Sequence, residues 1–249
     1  NVHVGFLWLL GCEKHNCTTG NPIHSRFFWR RYWQADSLFA TAQFLKNKAR
    51  KKYRFSQDVK FLPSPAPFFE KTEKSETPLV AFLGRFDRRK RPHKFFNLAK
   101  KFPNVHFAAV GISQNTIFQN RLKKEYGGQK NLEFLGFLNQ FEDDKLSKLL
   151  SKTWILINTS KREGLPTSFI EAAGHKCAIL SNINADNFSS EFGYHVENDD
   201  FTKGLNFLLE NDRWREKGLA GYSYVKDLYS LEKAMEKHIN IYADILGEE

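Results

Sequence analysis

Two carboxylates, Glu163 and Glu171, stand eight positions apart in Glu163-Gly-Leu-Pro-Thr-Ser-Phe-Ile-Glu171, on either side of what reads as the start of a helix. Leu165-Pro166 is the entry to it, because proline suits a first turn, where its missing N–H is not needed and its φ is already near helical. A helix start presents unpaired N–H groups and the positive end of the peptide dipole, and so favours an anion such as a diphosphate. Carboxylates on either side would accept hydrogen bonds from hydroxyl groups. The ligand this describes has phosphates in the middle and sugar rings at both ends, as a nucleotide-sugar has. The same residues admit a second reading. Ser168-Phe-Ile-Glu171 fits the Ser-x-x-Glu capping box, in which Glu171 returns to a backbone N–H and binds no ligand.

A second candidate anion site is Gly84-Arg-Phe-Asp-Arg-Arg-Lys90-Arg-Pro92, where Arg85 and Lys90 are the residues of interest. A guanidinium holds a phosphate through two parallel hydrogen bonds, and a lysine adds a point charge to the same group. Such a run is also a common form of solvated basic turn. Its position decides its weight. From Pro78 onward, the apolar runs 78–83, 105–110, 132–135, 154–157 and 178–180 alternate with helical patterns over 92–102, 114–126, 143–151 and 168–174. This alternation predicts an α/β fold with a parallel sheet, its strands buried on both faces by helices. Ligands of such sheets bind at the carboxyl ends of the strands. Both Arg85 and Glu163 follow strands and fall on that edge.

Upstream, Trp33 to Tyr53 is expected to form one basic, aromatic-rich helix, and Val59 to Pro67 a strand running into a proline-rich connector. Glu70 to Glu76 is charged and without hydrophobic pattern. The expected division is therefore residues 1–65 as part of an N-terminal domain with its linker, 66–228 as a Rossmann-like domain, and 229–249 as a helix returning to the N-terminal part. That last helix would share a face among Leu231, Ala234, Met235, His238, Tyr242 and Ile245. The chain opens at Asn1 and its one methionine is Met235, so further residues upstream are expected.

With 41% hydrophobic and 27% charged residues, 24 Phe and 5 Trp, the 249-residue chain has the composition of a folded protein and not of a disordered one. Its net charge of +10 calls for an anionic partner. Arg26, Arg30 and Arg31 interleave with aromatics up to Trp33, which suits either peripheral contact with an anionic membrane or a helix with buried aromatics and a solvated basic face. Charge alone also allows nucleic acid, but no reader motif accompanies it, and no nucleic-acid partner is expected. Cys12, Cys17 and Cys177 are an odd set without a second close pair, which supports neither a disulfide framework nor a zinc site. A reducing cytoplasm, at the inner face of a membrane if that contact is made, is the expected setting. No apolar run approaches the ~18 residues of a spanning helix.

Taken together, the Gly84-Arg85 turn with Lys90 five residues on, followed about 75 residues later by Glu163-Gly-Leu-Pro and Glu171, resembles the donor half of a family-four retaining glycosyltransferase of the GT-B fold. Asn131-Leu-Glu-Phe-Leu-Gly-Phe137, Asn158-Thr-Ser160 and the Tyr242-Ala-Asp-Ile-Leu246 helix match as well. Ala35 to Ala42 and Leu62-Pro-Ser-Pro65 resemble the last helix of the acceptor-binding domain and its linker, so the likeness runs from about residue 34 to 246. It implies transfer of a hexose from a nucleoside-diphosphate sugar to a glycan or lipid-linked glycan acceptor in surface polysaccharide synthesis, with no cofactor and no metal. The absence of an Asp-x-Asp motif agrees with that. By resemblance, Arg85 and Lys90, after Gly84, would neutralise the donor diphosphate and the charge that grows on it as the glycosidic bond breaks. Glu171 would accept the ribose hydroxyls, Glu163 would lie against the transferred sugar, and the backbone of Gly164, Leu165, Pro166 and Thr167 would meet sugar or phosphate. Gly136 and Phe137 would lie near the base. Three features depart from the family: there is room for only part of the N-terminal domain, Ser181-Asn-Ile-Asn-Ala-Asp186 replaces a glycine-rich loop, and the one candidate for an N-domain histidine near the sugar is His3. A module that binds a nucleotide-sugar without transferring it is the alternative.

Overall fold

The structure is a computed structural model that describes residues 4–7, 37–53, 58–139 and 142–246. His3, Cys12, Cys17, Arg26, Arg30 and Arg31 lie outside the described residues, and with them the membrane-contact and N-domain histidine expectations. The chain divides into two units: Asn1–Ala66 with Arg162–Leu165 and Asp227–Glu249, and Pro67–Lys161 with Pro166–Lys226.

The first unit holds a three-stranded parallel sheet in the order β1 (Val4–Leu7), β2 (Ser37–Ala40), β3 (Val59–Phe61). Helix α1 (Gln43–Tyr53) follows β2. The single helix expected over Trp33 to Tyr53 is thus corrected, because Ser37–Ala40 pairs with β1 and β3 as a strand. Leu38, Phe39 and Ala40 are each 1% exposed. A short run buried on both sides has no periodicity, and a following helix of like composition hides its end. Leu38, Ala40, Ala42, Leu45, Ala49 and Val59 form the core here, with Phe44 and Leu165 packed against it. The closing helix α9 (Leu231–Leu246) belongs to this unit. Its Ala234 is fully buried, His238 Nε2 donates to Pro63 O at 2.9 Å, and the Lys237 ammonium sits 4.4 Å from the centre of the Phe61 ring. Leu231 and Met235, expected on the packed face, are 64% and 42% exposed, so the seam is narrower than the sequence pattern suggests.

The second unit is built on a six-stranded parallel sheet. Its strands are β4 (Leu79–Leu83), β5 (His106–Val110), β6 (Leu132–Gly136), β7 (Ile155–Asn158), β8 (Ala178–Ser181) and β9 (Gly193–His195), in the order β6-β5-β4-β7-β8-β9. Helices α2 (Pro92–Lys101), α3 (Thr116–Tyr126), α4 (Lys145–Lys152) and α5 (Thr167–Gly174) connect them, followed by α6 (Phe188–Glu191), α7 (Phe201–Leu209) and α8 (Arg213–Tyr229). The five strands and four helices expected from Pro78 to Leu180 are all present within two residues of the predicted bounds, as an α/β fold requires. Much of the phenylalanine content goes into one side of this sheet. Phe82, Phe86, Phe95, Phe96 and Phe107 are each at most 1% exposed, with neighbouring ring centres 5.2 to 6.0 Å apart. Tilted and edge-on contacts at such distances add to the area they remove from water.

The segment 70–77, read from sequence only as charged linker, is pinned along the amino rim of the sheet. Ser75 N donates to Lys152 O at 3.1 Å, and Trp154 Nε1 donates to Ser75 O at 2.9 Å. Lys74 enters between the ends of two helices. Its ammonium donates to Thr153 O, to His175 O at 2.7 Å and to Leu150 O at 3.3 Å, and reaches Cys177 Sγ at 3.4 Å. A cation there satisfies carbonyls that helices leave unpaired at their carboxyl ends.

Candidate functional site

Along the sheet the strand order reverses between β4 and β7, and the crevice at their carboxyl ends is where open α/β sheets hold ligands. The connection after β4 carries Arg85 to Arg91. Phe86 anchors it, packed on Phe82 and Phe96 while Arg85 and Asp87 on either side turn outward. Asp87 then folds the turn: its Oδ1 accepts from Arg89 N at 2.9 Å and Lys90 N at 2.8 Å, and its Oδ2 lies 3.4 Å from an Arg85 guanidinium nitrogen. This is the Asx geometry that aspartate favours in turns. Lys90 lays its aliphatic stem over Gly84, where a Cβ would meet Lys90 Cδ at 3.5 Å.

The loop after β7 bolts onto this turn. Thr159 Oγ1 donates to Lys90 O at 2.6 Å and approaches Arg91 O at 3.0 Å, and Lys161 N donates to Arg89 O at 2.8 Å. Arg91, left-handed at φ 51°, donates from Nε to Thr159 O at 2.6 Å and reaches Asp199 Oδ1 at 2.9 Å; Lys94 lies 3.2 Å from Asp199 Oδ2. Burial alone would raise the Asp199 carboxyl, but the Lys94 ammonium and the Arg91 guanidinium hold it below the ordinary carboxylate range. The cationic turn after β4 is therefore held from behind by an ion-pair network that leaves its outer side chains to solvent.

Helix α5 begins at Thr167, with Pro166 as its N-cap at φ −66° and ψ 131° and no side-chain cap hydrogen bond. This corrects the capping-box reading, because Ser168 lies inside the helix and not at its cap. Pro166 stands one position earlier than expected, before the helix instead of in its first turn. Its rigid φ still aims the chain and its carbonyl accepts from Phe169 N at 2.9 Å, but it offers no side-chain acceptor to the N–H groups of Thr167 and Ser168. Glu171 lies one turn further on and is partly buried. Its carbonyl meets His175 Nδ1 at 2.8 Å, while Ser147 Oγ meets His175 Nε2 at 3.0 Å and Phe69 stacks on the ring with centres 4.3 Å apart. Burial pushes the His175 imidazole down to about 4, so the ring is neutral at pH 7, with Nδ1–H donating and Nε2 accepting. Glu163, Gly164 and Leu165 fall in the first unit, where the Leu165 side chain packs against the core.

Three glycines line the carboxyl ends of neighbouring strands: Gly84 after β4, Gly111 after β5 and Gly136 at the end of β6. Gly84 N donates to Val110 O at 3.0 Å and Gly111 N to Gly136 O at 2.7 Å, and a Cβ on Gly111 would stand 1.9 Å from Gly84 O. Gly111, Asp87, Thr159 and Asp199 were missed as positioning residues in the sequence. Asp87 had a legible signal, an acid two and three positions before the amides it caps. Phe137, just past β6, is 68% exposed. Beyond β7 and β8 two buried atoms, Ser160 Oγ and Asn182 Oδ1, have no hydrogen-bond partner among the described residues. In place of a glycine-rich loop, 181–190 is folded by side chains. Asn184 Oδ1 accepts from Ser190 N at 3.1 Å, and Asp186 and Asn187 take up left-handed φ of 51° and 59°, which these residue types tolerate. Asn131, matched as a motif residue, has a structural task, donating through Nδ2 to Ala99 O, Phe102 O and Val105 O at 2.9 to 3.0 Å. Among the described residues no helix is long and apolar enough to cross a membrane.

The family model described as Glycosyl transferases group 1 matches residues 65–218, more than half of the chain. A comparison with curated proteins gives no match. Among solved structures, the chain is similar to a variant of TarM from S. aureus in complex with Fondaparinux, alpha-GlcNAc-glycerol and UDP (TM-score 0.77, 18% identity, 97% of this chain and 50% of that one). It is similar to sucrose-phosphate synthase from Thermosynechococcus elongatus (TM-score 0.79, 17% identity, 98% of this chain and 68% of that one). HepE from Anabaena in complex with UDP and glucose also resembles it (TM-score 0.74, 13% identity, 96% of this chain and 71% of that one). The chain spans half the length of the TarM structure. At these identities the likeness establishes a GT-B type fold.

Proposed function

Because the chain belongs to the family of group 1 glycosyl transferases, we propose that it carries the donor half of a retaining, metal-independent hexosyltransferase. The enzyme would move a hexose from a nucleoside-diphosphate sugar to a glycan or lipid-linked glycan in surface polysaccharide synthesis. The observation that carries the reading is that, at the β4/β7 reversal, the Asp87-folded cationic turn is bolted through Thr159 to the loop after β7, the connection that ends in the start of α5.

In this reading the diphosphate lies between Arg85, Lys90 and the first turn of α5, where guanidinium, ammonium and amide groups meet its charge. The same groups stabilise the charge that builds on the leaving phosphate, which is the point at which fixed donors act most strongly. Glu171 accepts from the ribose hydroxyls. The base lies on the bare backbone at Gly136 and the exposed Phe137. Glu163 and the backbone of Gly164 to Thr167 contact the transferred sugar. With cations in place of a metal, the acceptor hydroxyl forms the new bond to the sugar as the bond to the diphosphate breaks and gives its proton to the leaving phosphate, so the chain need supply neither a nucleophile nor a separate base. The UDP bound to the TarM variant and the UDP and glucose bound to HepE support a nucleotide-sugar donor.

The test is hexose transfer by the full-length protein carrying Lys90→Ala or Glu171→Ala. Each is expected to lower kcat/KM roughly a hundredfold. Unchanged transfer in both would remove the assignment, and nucleotide-sugar binding without any turnover in the full-length wild type would favour a binding module.

A further inference from the structure

On the side of β4 away from β7, the turn after β4 and the start of α3 enclose a cavity of about 440 Å³. Three arginines line it, Arg85, Arg88 and Arg121, contributed by two separate connections of the chain. Asp87 also lines it, but its carboxylate is committed to Arg89 N, Lys90 N and Arg85, so it offsets Arg85 and leaves the other two charges standing. Among the described residues neither Arg88 nor Arg121 has a carboxylate partner. Like charges held around a common hollow repel one another unless an anion lies between them, which marks the hollow as a place for one. The remaining wall is of two kinds. Ser113 and Gln114 offer hydroxyl and amide groups, while Ile117, 81% exposed, and the half-buried Phe118 offer an apolar face.

Guanidinium forks match the oxygens of a phosphate, amides and hydroxyls match sugar hydroxyls, and an apolar wall matches the C–H face of a sugar ring. We propose that this cavity binds a phosphorylated carbohydrate, with its phosphate held by Arg88 and Arg121. Nothing in the donor assignment uses Arg88, Arg121 or the start of α3. Assigning the bound group as the phosphate-bearing sugar of a lipid-linked acceptor rests on the transferase reading above; the anion site itself does not.

The experiment is calorimetric titration of the full-length protein, at about 0.15 M salt to suppress loose charge attraction, with glucose 6-phosphate, glucose, glucuronate and, separately, UDP, GDP and ADP. Glucose 6-phosphate is expected to bind and glucose to fail. Arg88→Ala and Arg121→Ala should each weaken glucose 6-phosphate roughly tenfold while nucleotide affinity stays within about twofold. Three results would overturn the proposal: no glucose 6-phosphate binding by the wild type, binding unchanged in both variants, or glucuronate binding as tightly as the phosphate. If no nucleotide binds the wild type while glucose 6-phosphate still depends on Arg121, the donor reading falls and this site stands.

Discussion

At the amino rim of the six-stranded sheet the Lys74 ammonium is surrounded by acceptors, with three carbonyls and the Cys177 sulfur within 3.4 Å. At the carboxyl rim, Arg85 is 60% exposed and lies beside Arg88 and Arg121 around an open cavity. Both rims carry cations, but Arg88 and Arg121 at the carboxyl rim have no carboxylate partner among the described residues. Burial pulls the Lys74 ammonium below its ordinary value, and the nearby Cys177 sulfur works against that pull; burial pushes the Cys177 thiol up. A buried donor is worth keeping only where its partners are complete, and an outward charge is worth keeping only where a ligand arrives. The amino rim therefore serves the fold, and the carboxyl rim is where the proposed ligand sites lie.

The comparison can be broken most directly at Lys74. Lys74→Met keeps the stem but removes the ammonium shared by the Leu150, Thr153 and His175 carbonyls, of which Leu150 O and Thr153 O keep the weaker Cys177 thiol, and is expected to cost about 3 kcal/mol in urea unfolding. Nucleotide affinity of the protein that remains folded should not change. A loss of binding there, with little loss of stability, would invert the assignment of the two rims.

His175 sharpens the contrast through pH. Its imidazole titrates at about 4 in the folded chain and near 6.5 unfolded, so between these values the unfolded state holds the extra proton. Stability is then fully present above about pH 6.5 and falls as pH drops towards 4, by about 2 to 3 kcal/mol. His175→Asn should flatten that slope in unfolding measured from pH 7 to 4. The smallest effect belongs to Asp199, whose carboxyl is partly solvated. Asp199→Asn is expected to cost about 1 kcal/mol or less at pH 7. Because its folded carboxyl lies below the usual range, its contribution is present at neutral pH and lost as pH falls through and below that range. The variant and wild type should therefore converge in acid. A larger gap in acid than at pH 7 would rule out the pairing with Arg91 and Lys94.

The strands from Leu79 to Ser181 were legible because each is a short apolar run between turn residues, and the turn after β4 because basic residues and proline follow such a run. Ser37–Ala40 was not, since its apolar residues merge with the helix behind it. β9 and the helices from Phe188 to Tyr229 were not read at all: Gly193-Tyr-His195 has no apolar run to announce it. In the candidate site, Arg85, Lys90 and Glu171 are visible by type and spacing. Gly111 is not, because its requirement comes from Gly84 O in the neighbouring strand, and Asp199 is not, because its partner Arg91 lies 108 residues away. The uncapped start of α5 was undecidable from sequence, since Ser168 fits a cap equally well until the helix start is fixed at Thr167.

The order β6-β5-β4-β7-β8-β9 also sets a timetable for a chain emerging from a ribosome. β4, β5 and β6 are consecutive and pair with one another, so half of the sheet can close while the rest is still being made. One edge of β4 then waits, with Val80 and Ala81 unpaired on that side, until Ile155 and Leu156 arrive. An open apolar edge invites pairing with another chain. Nascent chains stalled between Gly136 and Ile155 are therefore the ones expected to need a chaperone.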